Sequence, residues 1–249
     1  MEIRRLLDPA PAAPLFAGWQ ETMIWSCLHG CMGRAYTNGS DIPQSARIDG
    51  GDFSFFAGAP DAGLILGLLP PGFRILVPRD SAWAACIEAA RPDARIWTRY
   101  ATKKDPSAFD RARLSRLAAA PPYRLCPIGE ALYNQIQDLA WARDLTSQFA
   151  SWQDYQRRGL GIAALHGGEI VSGASSYTVY PGGIEIEVDT RPDHRRRGLA
   201  RACAARLILD CLDRSLYPSW DAHSQASLAL ARQLGYLPDG SYPVYEIDG

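Results

Sequence analysis

The chain is organised around residues 184–212, which read IEIEVDTRPDHRRRGLARACAARLILDCL. Its first part, Ile184 to Val188, alternates apolar and acidic residues with a period of two, which predicts a strand. The later apolar residues recur every three or four positions, which predicts a helix. They are Leu199, Ala202, Cys203, Leu207, Ile208, Cys211 and Leu212. The stretch therefore predicts a strand that runs into a helix.

The connection between this strand and this helix has the composition of an anion-binding loop. Arg195, Arg196 and Arg197 precede Gly198, a residue that lets the backbone approach a ligand closely. The first N–H groups of a helix have no partner within the helix, and its dipole places partial positive charge there. Such amides beside guanidinium groups suit a phosphate group. We therefore expect an anion site at this loop.

The composition is that of an ordinary globular protein. Hydrophobic residues make up 47% of the 249 residues and the formal net charge is −1, so there is no general basic field to hold nucleic acid or an anionic membrane surface. No apolar run approaches the roughly 18 residues that a membrane span needs, and the N-terminus lacks the apolar core of a signal peptide. We expect a cytoplasmic protein that binds neither nucleic acid nor a membrane.

The cysteines are expected to be structural. Six cysteines in a chain of this length do not predict a disulfide framework. Cys203 and Cys211 lie on the apolar stripe of the predicted helix, where a thiol packs as a small hydrophobe. Cys27, His29 and Cys31 form one cluster without the further ligands that would complete a tetrahedral metal site. The sequence therefore predicts no metal.

The length and a proline pair predict two domains. The helical segment Phe109 to Ala119 ends at Pro121-Pro122, which cannot continue a helix, and we place the boundary there. Residues 1–120 are expected to form a smaller α/β domain. Its role is open between a degenerate copy of the second domain's fold, a lid over an acceptor pocket, and the dimerisation surface of a homodimer.

Residues 121–249 are expected to form the domain that contains the anion loop. Glycine turns at residues 167–168 and 181–183 separate three antiparallel strands that lead into the loop. Ser224 to Leu234 is an amphipathic helix ended by a glycine, and Tyr242 to Ile247 alternates as a strand that closes this sheet. The predicted fold class is α/β (α+β), with a mixed, mostly antiparallel sheet flanked by helices.

The loop and its neighbours resemble the GNAT superfamily of acyl-CoA-dependent N-acetyltransferases. The signature of that superfamily is Arg or Gln, two residues, Gly, one residue, then Gly or Ala; here Arg195, Gly198 and Ala200 fill it. A narrower similarity, over almost the whole chain, is to one bacterial, largely uncharacterised GNAT acetyltransferase family with an added N-terminal domain. It lies in the blocks Gly51-Asp52-Phe53, Phe56-Ala57-Gly58, Glu185-Ile186-Glu187 with Asp189-Thr190, and Pro218-Ser219-Trp220-Asp221-Ala222.

The resemblance implies a binding mode for acetyl-CoA, the cosubstrate of the superfamily. In its members the strand before the loop splays from its neighbour, the pantetheine arm lies in the gap, and the pyrophosphate sits on the loop amides. Pantetheine would therefore meet Val188, Asp189 and Thr190. The pyrophosphate would meet Arg195, Arg196, Arg197, Gly198, Leu199 and Ala200. The acceptor would be a primary amine of a small molecule or a peptide.

Two glutamates are the candidate bases. Glu185 and Glu187 share one face of their strand, and members of the superfamily often use a glutamate on this strand to take the proton of the amine. The alternative is a solvated sheet face with ordinary carboxylates. The tyrosine acid that many members carry on the last helix is replaced here by Ala231. Tyr236, Tyr242 and Tyr245 are the candidate substitutes.

The roles of two serines and the activity of the chain are left open by the sequence. Ser224 and Ser227 either bind CoA through their hydroxyl groups or cap the last helix. Because the usual tyrosine is missing, the chain is expected to be either an N-acetyltransferase or a non-catalytic acyl-CoA-binding or regulatory module.

Overall fold

The structure is a computed structural model that describes residues 3–39 and 42–248. The chain forms two compact units, Met1–Arg99 with Ser241–Gly249, and Tyr100–Gly240. These bounds differ from the predicted division at residues 120 and 121. The helix before the proline pair ends at Leu117, and it buries Leu114 within the second unit, so the chain stays in one unit on both sides of the pair.

The first unit is built on a mixed sheet. Among the described residues the sheet has seven strands in the order β1-β2-β3-β4-β5-β12-β6. Its elements are β1 (Arg4–Leu6), α1 (Thr22–Leu28), β2 (Arg34–Thr37), β3 (Ser45–Gly50), β4 (Phe53–Gly58), α2 (Ala62–Leu66), β5 (Arg74–Pro78), α3 (Ser81–Ala90), β6 (Arg95–Thr102) and β12 (Pro238–Ile247). Phe56, Leu76 and Trp83 belong to its buried core.

The last strand of the chain does not join the sheet for which it was predicted. Tyr242 to Ile247 does form a strand, within β12, but β12 pairs antiparallel with β5, where Tyr245 lies opposite Leu76. The prediction that this strand closes the sheet beside the anion loop is therefore wrong. Alternation indicates a strand with one buried face, but it does not identify the neighbouring strand.

The second unit is a smaller sheet flanked by helices. Its order is β11-β10-β9-β8-β7, and β10 and β11 are the parallel pair among antiparallel neighbours. Its further elements are α4 (Arg111–Leu117), β7 (Arg124–Pro127), α5 (Glu130–Gln137), α6 (Trp152–Arg158), β8 (Gly161–His166), β9 (Glu169–Tyr180), β10 (Gly183–Thr190), α7 (Leu199–Asp213), β11 (Tyr217–Ser219) and α8 (Gln225–Leu234). The predicted fold class and the three antiparallel strands β8, β9 and β10 are confirmed.

Helix α7 packs its apolar stripe on this sheet, as its periodicity predicts. Eight of its residues are buried: Leu199, Ala202, Cys203, Ala204, Ala205, Leu207, Ile208 and Cys211. Burial raises the pKa of both the Cys203 and the Cys211 thiols to about 12, so they remain protonated packing groups. Helix α8 begins at its Ser224 cap and ends at Gly235, whose φ of +115° is left-handed.

The cluster of Cys27, His29 and Cys31 lies at the end of α1. Cys27 is buried, and burial raises the pKa of its thiol to about 12, while His29 places Nδ1 2.8 Å from the carbonyl oxygen of Trp25. Within residues 3–39 and 42–248 there is no group of three His, Cys, Asp or Glu side chains placed to hold a metal ion. No helix in these residues is long and apolar enough to cross a membrane.

Candidate active site

A gap opens between β10 and β11. The two strands pair in register from Gly183 to Glu185, where Glu185 lies opposite Ser219. The pairing ends there, although β10 continues to Thr190 and stays paired with β9. The edge of β10 from residue 186 to residue 190 therefore faces no partner strand within the described chain. This is the splay that the resemblance implies.

The segment that follows β11 is hydrogen-bonded to residues other than those of β10. The hydroxyl group of Thr102 donates a 2.6 Å hydrogen bond to the carbonyl oxygen of Trp220. Tyr100 and Ala222 exchange two backbone hydrogen bonds, each 2.9 Å long. All the residues that make these bonds belong to the second unit.

Glu185 lies at the apex of the gap. Its Oε1 accepts a 2.8 Å hydrogen bond from the backbone N–H of Asp221, the second residue after β11. The side chain is buried, with 6% of its surface exposed. A carboxylate thus binds a backbone amide at the place where the strand pairing stops.

The acidic residues of β10 share one face of the sheet. The register shift beside Glu185 leaves Tyr177 as an extra residue on β9, so the alternation along β10 is not interrupted. Glu187 lies opposite Ser175, and Asp189 lies opposite Gly173. A Cβ built on Gly173 would lie 2.6 Å from Cδ1 of Leu145, so the 3-10 turn Arg143–Leu145 covers the same face. The predicted shared face of the glutamates is confirmed.

A backbone amide in the gap is covered by Glu187. The amide of Arg191 donates to Val171 of β9 at 3.0 Å, so odd-numbered residues here direct their amides towards β9. The alternation of backbone groups directs the amide of Val188 to the opposite edge, into the gap. Oε1 of Glu187 accepts a 3.0 Å hydrogen bond from this amide. A ligand that binds the Val188 amide must displace that carboxylate.

The loop between β10 and α7 has the backbone conformation of an anion site. Arg196 has a φ of +60° and Gly198 a φ of +79°, so two of the three residues before α7 are left-handed, a conformation that occurs in anion-binding turns. No side chain in the described chain caps the N-terminus of α7. At Gly198 a Cβ would meet only Nη2 of Arg201, at 3.4 Å. The left-handed conformation, and not the available space, requires glycine here.

The three arginines of the loop have different roles. Arg197 donates to the hydroxyl oxygen of Tyr123 at 3.1 Å and to the carbonyl oxygen of Asp193 at 3.0 Å, so it supports the loop. Arg195 donates through Nε to the carbonyl oxygen of Thr190 at 3.3 Å. Arg196 is exposed and has no hydrogen bond or ion pair within the described residues. The sequence could not separate the supporting arginine from the two that can face an anion.

A cluster of ion pairs lies at the start of the loop between β10 and α7. Arg191 binds Glu169 of β9 and Asp193, each at 2.8 Å. His194 lies 3.0 Å from the Asp193 carboxylate. Hydrogen bonds from His194 and then from Arg191 lower the pKa of Asp193 to about 2. The sequence did not predict these ion pairs, because it does not show which charged side chains will contact one another.

Asp189, one of the predicted pantetheine contacts, has a raised pKa. Burial is the main cause that raises its pKa to about 6, and the negative charge of Asp144 adds to the shift. The positive charge of Arg195 opposes it. Asp189 therefore changes charge close to neutral pH, on the same face of β10 as Glu185 and Glu187.

The structure does not bring Tyr236 into the gap. Its hydroxyl group donates a 2.6 Å hydrogen bond to the carbonyl oxygen of Pro218, and 2% of the residue is exposed. Burial raises the pKa of the phenol well above its usual value of 10. Its ring packs edge-on against Phe109, with centroids 5.0 Å apart. These contacts are those of a packing residue. Tyr242 and Tyr245 belong to the first unit.

The two serines at the start of α8 already have partners. Ser224 accepts a 3.2 Å hydrogen bond from the amide of Ser227 and so caps the helix. Oγ of Ser227 accepts a 3.1 Å hydrogen bond from Nε1 of Trp220. Of the two alternatives left by the sequence, the contacts of Ser224 are those of a cap.

The chain is similar to known proteins along most of its length. The family model described as GNAT acetyltransferase matches residues 13–245. The crystal structure of a GCN5-related N-acetyltransferase-like protein from Streptococcus suis 89/1591 is 47% identical, with a TM-score of 0.90 over 94% of this chain and 96% of that one. A tandem GNAT protein from the clavulanic acid biosynthesis pathway is 14% identical with a TM-score of 0.59, over 99% of this chain and 98% of that one, and shows the fold alone.

A curated relative is similar over a shorter segment. It is a Bacillus subtilis (strain 168) protein described as the uncharacterised N-acetyltransferase YdfB, and it is 36% identical over 101 residues. The match covers 40% of this chain and spans 36% of the length of that relative.

Proposed function

Because the chain belongs to the GNAT acetyltransferase family, we propose that it transfers an acetyl group from acetyl-CoA to a primary amine of a small molecule or a peptide. The amine attacks the thioester directly. The observation that carries this proposal is the position of Glu185, whose carboxylate lies at the apex of the gap between β10 and β11. Family membership supports acetyl transfer, and the residues of the gap support the roles given below.

The residues of the gap and the loop fit acetyl-CoA. The uncapped N-terminus of α7 and the left-handed residues Arg196 and Gly198 suit the pyrophosphate, and the guanidinium groups of Arg195 and Arg196 add positive charge. The unpaired edge of β10, with the amide of Val188, suits the amide groups of the pantetheine arm. When bound, acetyl-CoA supplies the thioester.

We assign the base to Glu185 and a gating role to Glu187. An amine that is protonated near neutral pH must lose a proton before it can attack, and a positioned carboxylate can accept it. Glu185 is the buried member of the pair and lies where the paired strands part. Glu187 covers the Val188 amide until a ligand replaces it. The proposal assigns the thiolate proton to solvent, because Ala231 replaces the usual tyrosine and Tyr236 is bonded to a carbonyl oxygen.

The test measures the release of free CoA thiol from acetyl-CoA with a panel of amines. We expect Glu185→Gln to lower kcat/KM by about 100-fold or more, the usual contribution of general base catalysis. Acetyl-CoA binding should remain. Glu130→Gln is the matched control, since Glu130 is an exposed residue in the first turn of α5. Full activity of Glu185→Gln would remove Glu185 from the mechanism.

A second candidate function is a non-catalytic acyl-CoA-binding or regulatory module. The observation that favours it is that no acidic side chain stands where the family usually has its tyrosine. That position is the buried Ala231, and the hydroxyl group of Tyr236 already donates to the carbonyl oxygen of Pro218. This candidate predicts that acetyl-CoA binds and that none of the amines releases CoA thiol. Turnover that depends on Glu185 would reject it.

A further inference from the structure

Tyr123 connects the start of β7 to the loop between β10 and α7. It directly precedes β7, and its hydroxyl oxygen accepts a 3.1 Å hydrogen bond from Nη1 of Arg197. Nη2 of the same guanidinium group donates to the carbonyl oxygen of Asp193 at 3.0 Å. Arg197 is an exposed residue, and ordering a long exposed side chain costs conformational entropy. Two acceptors from different parts of the chain nevertheless hold this one.

The ring of Tyr123 packs against two histidines. Its centroid lies 5.1 Å from that of His166, the last residue of β8, and 6.0 Å from that of His194. The two imidazole centroids are 5.6 Å apart, so the three rings form one cluster at separations that are favourable for aromatic pairs. His194 is buried and belongs to the 3-10 turn Pro192–His194 at the start of the loop. Tyr123 therefore contacts the loop at two places, through its hydroxyl group and through its ring.

The bond to Tyr123 acts on the strained part of the loop. Arg197 lies between Arg196 and Gly198, whose φ angles are +60° and +79°. The left-handed conformation is unfavourable for a residue other than glycine, and it persists only where the surrounding structure holds it. The side chain of Arg196 has no hydrogen bond or ion pair within the described residues. The two bonds of the next residue, Arg197, therefore help to hold the backbone there.

We infer that Tyr123 is a positioning residue for acetyl-CoA, because it holds Arg197, and through Arg197 the backbone of residues 195–198, in the conformation that binds the pyrophosphate. The inference rests on the proposed function. A loop that already has its binding conformation loses less freedom when a ligand binds. Where only a fraction of the molecules has that conformation, the apparent affinity falls by that fraction. Tyr123 thus acts on the affinity for CoA and not on the reacting atoms.

The substitution Tyr123→Phe keeps the ring and removes the hydroxyl group. We expect the Kd for CoA in calorimetric titrations and the KM for acetyl-CoA to rise by about fivefold. The kcat should be unchanged, and so should the Tm, because the lost bond lies at the surface. If Tyr123 served packing alone, the retained ring would leave the Kd at its wild-type value, and that result would overturn the inference.

A double-mutant cycle tests whether Tyr123 acts through Arg197. Arg197→Met removes the donor and should weaken CoA binding by at least as much as Tyr123→Phe. In the Arg197→Met protein, Tyr123→Phe should then cause no further change in Kd. Two fold-changes that multiply would show independent roles and would contradict the inference. Arg113→Met controls for a lost surface charge, since Arg113 is an exposed residue of α4 close to Arg111, which pairs with Asp213 at the other end of α7.

Limited proteolysis tests the hold on the loop without any ligand. Trypsin cleaves after arginine, and Arg195, Arg196 and Arg197 are all exposed. Cleavage of a native protein follows the population of its opened conformations, so Tyr123→Phe should be cut in this loop about fivefold faster than the wild type. Equal rates would overturn the inference. If the wild-type protein does not bind CoA, the proposed function fails, and the role of Tyr123 in acetyl-CoA binding fails with it even where the variant is cut faster.

Discussion

The substitution Asp189→Asn tests whether the buried negative charge of Asp189 destabilises the folded protein. The pKa of Asp189 is raised from 3.8 to about 6, first by burial and then by Asp144. The folded protein therefore binds the Asp189 proton more tightly than the unfolded chain does. Stability falls as the pH rises from about 4 to about 6, and the loss persists above pH 6. At 1.36 kcal/mol per pH unit the shift corresponds to about 3 kcal/mol.

The expected gain is smaller than this figure, since Asp189 is partly exposed and solvent screens part of the effect. Asparagine has the same shape and no charge, so Asp189→Asn should raise the free energy of unfolding at pH 8 by roughly 1–2 kcal/mol and should change it little at pH 4. Urea unfolding at both pH values measures the difference. Asp138→Asn, at the exposed end of α5, is the control. A loss of stability at pH 8, or equal gains at both pH values, would refute the assigned electrostatics.

Three further substitutions have defined outcomes. Glu187→Ala frees the Val188 amide and should tighten CoA binding by about fivefold, the effect of roughly 1 kcal/mol, in calorimetric titrations. Gly198→Ala must adopt a left-handed conformation at a cost of about 1–2 kcal/mol and should weaken CoA binding by about tenfold. Tyr236→Phe loses the bond to Pro218 and should lower the free energy of unfolding by about 1–2 kcal/mol, while kcat/KM and its pH profile stay unchanged.

Each of these outcomes has a control. Glu187→Gln keeps an oxygen that can accept from the Val188 amide, so its CoA affinity should stay nearer to wild type; weaker binding of both variants would contradict the gating role. Gly182→Ala places the same strain in another turn with a φ of +88° and should leave CoA binding unchanged. If Tyr236→Phe is stable but has no turnover, Tyr236 is the proton donor and the prediction is wrong.

The sequence predicts the local elements of the second unit well, because their signals are local. The change from period two to a helical period identifies β10 and α7, and a serine and a glycine mark the two ends of α8. The predicted anion loop has the uncapped helix start and the left-handed residues that such a site requires. Composition and spacing carry this information directly.

The sequence cannot predict features that depend on long-range partners. The segment beyond β11 is bonded to Thr102, which lies 118 residues before Trp220 in the chain. The alternation in β12 predicts a strand, but not its pairing with β5. Tyr236 is a candidate acid by residue type and a packing residue by its contacts.

A crystal structure of the protein with CoA is the sharpest test of the proposed acetyl-CoA site. We expect the pyrophosphate on the amides of residues 196–200, the pantetheine arm along the open edge of β10, and a hydrogen bond from the Val188 amide to that arm in place of the Glu187 carboxylate. We also expect the thiol end next to Glu185. CoA bound away from the gap, or the thiol end turned away from Glu185, would contradict it.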